Sequence, residues 1–248
     1  MLHLLRAITG RFTTRATRIF APPPMSLRGL AVAGALGTVL VGFPAIGGAA
    51  EPTTRTVLLD ETVGAVRFLA LKAEKPAADS PVVAPAVAER NILAALDMLR
   101  SRSPASAADL ARLQAAGDVI VVYDPDFPDK EYASVTIAAF VADLFVPATD
   151  RMAFPVVVGR FGMHWPTADL AGVLAHELVG HGIQHLEGRL TKTRSLDLEC
   201  EAWLHQEQAH QDLGIDKFRP DMIAFRRQLE TIWCADLRDW QRDAEPDS

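Results

Sequence analysis

Six of the seven histidines lie between His164 and His210, and this crowding constrains the fold more than any other feature of the chain. A metal site needs several neutral imidazoles converging on one point, whereas surface histidines have no reason to gather. The centre of the window reads Ala175-His176-Glu177-Leu178-Val179-Gly180-His181-Gly182. Histidines four apart on an α-helix stand about 40° from each other, but His176 and His181 are five apart, which is about 140° on an ideal helix. Both rings reach one ion only if the helix absorbs one extra residue in a π-bulge, a distortion frequent at functional sites. Gly180 and Gly182 agree with distortion or close packing, because glycine inside a helix costs about 1 kcal/mol.

A second ligand set follows from the same residues. Glu177, His181 and His185 are spaced by four and share one stripe of an undistorted helix, which would make Glu177 a ligand. For a set based on His176 and His181, the third ligand is sought on the acidic helix that follows. Glu199 and Glu201 lie about 200° apart on a helix, so only one can face a shared ion, and the other is a solvated charge or a partner to a ligating histidine. His205 and His210 read as oxyanion stabilisers or as exposed or capping histidines. His164, beside Trp165-Pro166, reads as structural or as part of a cleft rim. Arg160 and Arg194 read as surface charges, and Trp203, Trp233 and Trp240 as helix packing.

His176-Glu177, Gly180 and His181 resemble the His-Glu-x-x-Gly-His motif of dipeptidyl peptidase III, a zinc peptidase family, and Gly182 also agrees. Glu199-Cys200-Glu201-Ala202 is similar to that family's second motif, Glu-Glu-Cys-Arg-Ala followed by an acid, with Leu198, Glu201 and Trp203 replacing the first glutamate, the arginine and the acid. The resemblance implies Zn2+ held by His176, His181 and Glu199, with Glu177 as general base and a peptide or protein as substrate. The chain is too short for the family's two-lobed fold, so what is implied is a minimal gluzincin-like domain. Such an α+β, zincin-like domain has a small twisted sheet packed on a metal-binding helix, followed by C-terminal helices. Its edge strand borders the cleft, where an extended peptide can pair. The stretch from Phe154 to Arg160 fits that edge, being the last strand before the metal helix and containing Pro155. Two other classes use the same residues: a zincin-fold binding or scaffold protein without activity, and a non-peptidase metallohydrolase of the cell envelope.

The surrounding pattern is that of one α+β domain over residues 51–248. Strands are expected at Thr56 to Asp60, Val119 to Tyr123 and Phe154 to Phe161. Helices are expected at Ala86 to Arg100, Ser106 to Ala116, Leu170 to His185, Leu196 to Leu213 and Asp221 to Arg242. Glu61 to Lys72 fits a strand extension or a helix, and Val135 to Phe145 fits either as well. Pro76 to Pro85 reads as a loop.

Residues 1–50 carry five arginines, no acid and the apolar run Leu30 to Ile46, ending in Gly47-Gly48-Ala49-Ala50. That is the layout of a targeting segment, with cleavage expected after Ala50 and an exported, periplasmic or secreted product. An uncleaved leader would instead serve as a membrane anchor. Without those five arginines, 20 basic residues face 31 acidic ones, a net of −11. A surface of that sign repels phosphate backbones, so nucleic acid is not an expected partner. With 49% apolar and 23% charged residues, global disorder is excluded. In an oxidising compartment Cys200 and Cys234 form one disulfide or remain two buried thiols.

Overall fold

The computed structural model describes residues 38–40, 54–74, 81–128, 137–144, 151–193 and 195–216, with Ile223, Arg227 and Cys234. The expected helix from Asp221 to Arg242 lies outside the described residues, as does the expected leader apart from Thr38–Leu40. No helix among the described residues is long and apolar enough to cross a membrane.

The architecture is mixed α+β. Strands β2 (Thr54–Val63), β3 (Val66–Leu71), β4 (Gly117–Asp124), β5 (Ala138–Phe140) and β6 (Met152–Gly159) form one sheet, with β1 (Thr38–Leu40) beside β2, in the order β1-β2-β3-β4-β6-β5. The stretch from Glu61 to Lys72 resolves as the second half of a hairpin. Its two-residue turn is Gly64-Ala65, where Gly64 takes φ 61°, a conformation that favours glycine. β3, β4 and β6 run parallel, while β2 and β5 are antiparallel to their neighbours. Helices α1 (Pro85–Arg102) and α2 (Pro104–Ala116) cross between β3 and β4. Each begins with a proline, whose missing N–H costs nothing at a helix start. The buried Ser103 hydroxyl between them donates to Asp212 at 2.6 Å, tying the α1–α2 corner to the last helix.

Strand alternation divides the apolar residues between two faces. Phe68, Val121, Tyr123, Phe154, Val156 and Val158 join Ile92, Leu96, Leu113, Leu170 and Leu178 in the main core beneath the helices. Leu69, Leu71, Ile120, Val122 and Val157 form a second cluster with Leu144 on the opposite face. Continuous apolar runs such as Val119 to Tyr123 therefore serve both faces at once, as parallel strands do.

The sheet edge is not where the sequence places it. β6 lies between β4 and β5, so the edge strand on that side among the described residues is β5. Pro155 is accommodated inside the sheet because Val141 donates its N–H to the Pro155 carbonyl at the point where β5 ends. The missing proline N–H thus removes only the last bond of a short ladder.

At the C-terminal end of β4 a buried ion cluster closes the sheet. Arg55 on β2 donates to both oxygens of Asp124, at 3.2 and 2.9 Å, and to Asp126 at 3.0 Å. The backbone N–H of Glu74 donates to Asp126 at 2.8 Å, and that of Asp126 to Asp124 at 3.0 Å. Burial pushes the Asp124 carboxyl upward in pKa, against the pull of Arg55.

Candidate metal centre

Helix α3 has three consecutive segments: α-helical Thr167–Leu174, π-helical Ala175–His181 and α-helical Gly182–Leu186. The π segment spans the His176–His181 interval and supplies the extra residue that the five-residue spacing demands. The two imidazoles stand with ring centroids 5.0 Å apart and nearly perpendicular, at 80°.

Helix α4 (Ser195–Leu213) crosses α3 at Gly180. A Cβ there would sit 2.7 Å from the Cα of Ala202, so only glycine allows the approach. This crossing carries Glu199, one turn before Ala202, to the two histidines. Glu199 Oε2 lies 3.5 Å from His176 Nε2, and Oε1 lies 3.5 Å from His181 Nε2. Trp203 covers the other side, its ring 4.4 Å from that of His176. His176, Glu177, His181 and Glu199 are only 3% to 6% exposed.

One donor atom from each of His176, His181 and Glu199 falls within 4.8 Å of the others, the only such group of three among the described residues. The set fits zinc: donors about 2.0–2.2 Å from a tetrahedral ion stand about 3.3–3.6 Å apart, which matches the histidine–glutamate separations. Glu199 Oε2 is buried with no hydrogen bond of good geometry among the described residues and only the His176 imidazole at 3.5 Å beside it, a state that a bound cation would relieve.

The local electrostatics follow from burial and proximity. Burial opposes a charged His176, but Glu199 and Glu177 outweigh it and raise its pKa. Burial alone would raise Glu199, yet His181 and His176 hold it below the usual carboxylate range. Glu177 is raised, by burial first and by the nearby Glu199 charge, against the pull of His176 and His181. Its Oε2 accepts the backbone N–H of Phe140 at 2.8 Å. Phe140 pairs with Val156 between the ladder bonds of Gly159 to Ile137 and Val141 to Pro155, so its N–H points away from β6. Glu177 therefore meets the outer edge of β5.

The other sequence candidates lie elsewhere. Glu201 turns to Arg189, accepting both guanidinium nitrogens at 2.5 and 2.6 Å. His185 packs against Phe140 and Phe154, with centroids at 5.6 and 5.9 Å, and burial lowers its pKa. The stripe of Glu177, His181 and His185 is thus not brought to one point, because the π segment rotates His185 toward the sheet. His205 is half-buried, with its pKa lowered by burial. His210 is buried, its Nε2 in the notch left by Gly172 and its Nδ1 3.4 Å from Glu207. His164 faces the Pro81 carbonyl at 3.0 Å, and Arg160 lies over the Phe161 ring. Cys200 and Cys234 form a disulfide, which ties the turn after Glu199 to the C-terminal segment.

Two participants escape the sequence reading. Gln184 lies 2.9 Å from His181 Nδ1, and its position three residues along the same helix was a usable signal. The Phe140 N–H carries no signal, since a backbone group takes its role from strand register alone. Compared with known protein families, with curated proteins and with solved structures, the chain matches none.

Proposed function

We propose that this chain is a zinc-dependent metallopeptidase, with His176, His181 and Glu199 as metal ligands and Glu177 as general base. One observation carries the reading: a π-helical turn and a glycine-mediated crossing bring two imidazoles and a carboxylate together, with a second carboxylate beside them that is not in the donor group. Both devices are costly in a helix pair that has only to pack.

Zinc bound there would supply a Lewis acid that polarises a carbonyl and acidifies a water. The chain's own part falls to Glu177. It takes the proton of the attacking water and returns it to the leaving amine. Burial and the Glu199 charge raise its pKa, the direction that suits a base working near neutral pH. The Phe140 N–H holds one carboxylate oxygen and so fixes the orientation of the other. An extended peptide suits the outer side of β5, next to that carboxylate. The acid-free, arginine-bearing first 50 residues support an exported product.

Glu177→Gln tests the assignment, because the amide is nearly isosteric. The variant is expected to keep its zinc and its fold while hydrolysis of a broad peptide library falls about a hundredfold or more. Unchanged hydrolysis would exclude Glu177 as base, and loss of zinc would make it a ligand. Zinc-loaded parent protein that cleaves no peptide would replace the peptidase by a scaffold.

A further inference from the structure

We infer that Gln184 is the positioning residue that presents His181 to the metal centre through Nε2, and that it locks to the same spot the turn of α4 carrying Glu199. The inference rests on the metal-centre reading above.

Gln184 is fully buried, and its Nε2 donates to the Leu198 carbonyl at 2.8 Å. A carbonyl only accepts, so this contact fixes which end of the amide is the NH2 group. The other end is the oxygen, and it stands 2.9 Å from His181 Nδ1. An amide oxygen also only accepts, so Nδ1 carries a hydrogen and donates it. In the neutral ring Nε2 is then the acceptor, and Nε2 is the atom that lies 3.5 Å from Glu199 Oε1. With Nδ1 committed to Gln184, Nε2 is the one ring nitrogen left to face Glu199 and a metal ion beside it.

The same amide also sets the position of Glu199, because Leu198 is the residue before it. Glu201, two residues further along α4, is clamped by Arg189. His176 has a different support. Trp203 packs on its ring, and its buried Nδ1 has no hydrogen-bond partner among the described residues. Gln184 therefore orients one of the two histidines, by hydrogen bonding, while packing orients the other.

The test compares full-length parent, Gln184→Leu and Gln184→Glu by chelator-competition zinc titration. It is joined by NMR of the His181 ring nitrogens with and without zinc. The parent is expected to carry a hydrogen on His181 Nδ1 in both forms. Gln184→Leu should bind zinc about 10–100-fold more weakly. Gln184→Glu keeps an acceptor for Nδ1 but loses the donor to Leu198, and its affinity should fall between the two. A residue that only fills space would alter the stability of the metal-free protein without moving the ring proton. A bare Nδ1 in the parent would overturn the inference, as would zinc affinity in folded Gln184→Leu within about twofold of the parent. If Gln184→Leu fails to fold, the parent NMR and the Gln184→Glu affinity decide. If the folded parent binds no zinc, the metal reading falls, whereas the metal-free NMR still decides the role of Gln184.

Discussion

Two of the buried polar clusters among the described residues differ in what balances their carboxylates. At the end of β4, Arg55 lies between Asp124 and Asp126, and two backbone N–H groups supply further donors. Both carboxylates there are met by a guanidinium and backbone donors from within the chain, although Arg55 Nε itself makes no hydrogen bond and stands 3.6 Å from Glu74. Between α3 and α4, Glu177 and Glu199 are buried with two imidazoles, and neither makes an ion pair with an arginine or lysine among the described residues. Glu199 Oε2 has no hydrogen bond of good geometry there. The carboxylates of the first cluster find their cation in Arg55, and under the proposed reading those of the second would find theirs in a metal ion. A buried charge is tolerated when paired, so the cluster whose two carboxylates have imidazoles and no arginine or lysine beside them among the described residues is the one that points to a ligand.

The comparison breaks most visibly at Arg55. Arg55→Met leaves Asp124 and Asp126 buried without their cation and should cost about 3–5 kcal/mol in urea denaturation. A cost under about 1 kcal/mol would mean that the first cluster is not closed by that pair.

Next in size is Glu199→Gln, which should weaken zinc binding by about a hundredfold or more, since it removes an anionic ligand. Its metal-free stability should change by less than about 1 kcal/mol, because the lost attraction to the imidazoles is offset by relief of the buried charge. Chelator competition and urea denaturation of the metal-free protein measure the two effects. A stability loss as large as that of Arg55→Met would erase the difference between the clusters.

Smallest is Glu201→Gln, which should keep its zinc and cost less than about 1 kcal/mol, as for other part-exposed ion pairs. Hydrogen bonds from Arg189 hold the Glu201 carboxyl below its ordinary range. A carboxyl with a lowered folded pKa contributes stability above its unfolded pKa and loses that contribution as pH falls through the folded value. The gap between parent and variant should therefore be present at about pH 7 and shrink toward about pH 3. A zinc loss in this variant would return Glu201 to the ligand set.

The sequence made some of this legible, for physical reasons. The strand Val119 to Tyr123 shows as a continuous β-branched apolar run, and the helices α1 to α4 show through apolar residues at helical spacing. The five-residue histidine spacing, with Gly180, anticipates the π segment because helix geometry leaves no other way to aim both rings at one ion. The choice between Glu199 and Glu201 was open in the sequence, since it depends on the angle at which α4 crosses Gly180. The edge strand was misplaced because a three-residue strand, Ala138–Phe140, leaves almost no alternation to read, while Pro155 drew the edge inward. The hairpin at Gly64 stays open in the sequence because its second strand is apolar on both faces apart from Arg67 and so shows no alternation to mark it off from a helix. The Arg55 cluster was invisible because it joins residues far apart in the chain through sheet pairing.

Whether the α3–α4 cluster holds a metal is decided by elemental analysis. Chelator-stripped full-length protein is dialysed against zinc, beside His176→Ala, His181→Ala and His185→Ala. The account predicts about one zinc per chain in the parent and in His185→Ala, and almost none in the other two. A folded parent without zinc, or a His176→Ala variant that retains it in full, would contradict the account.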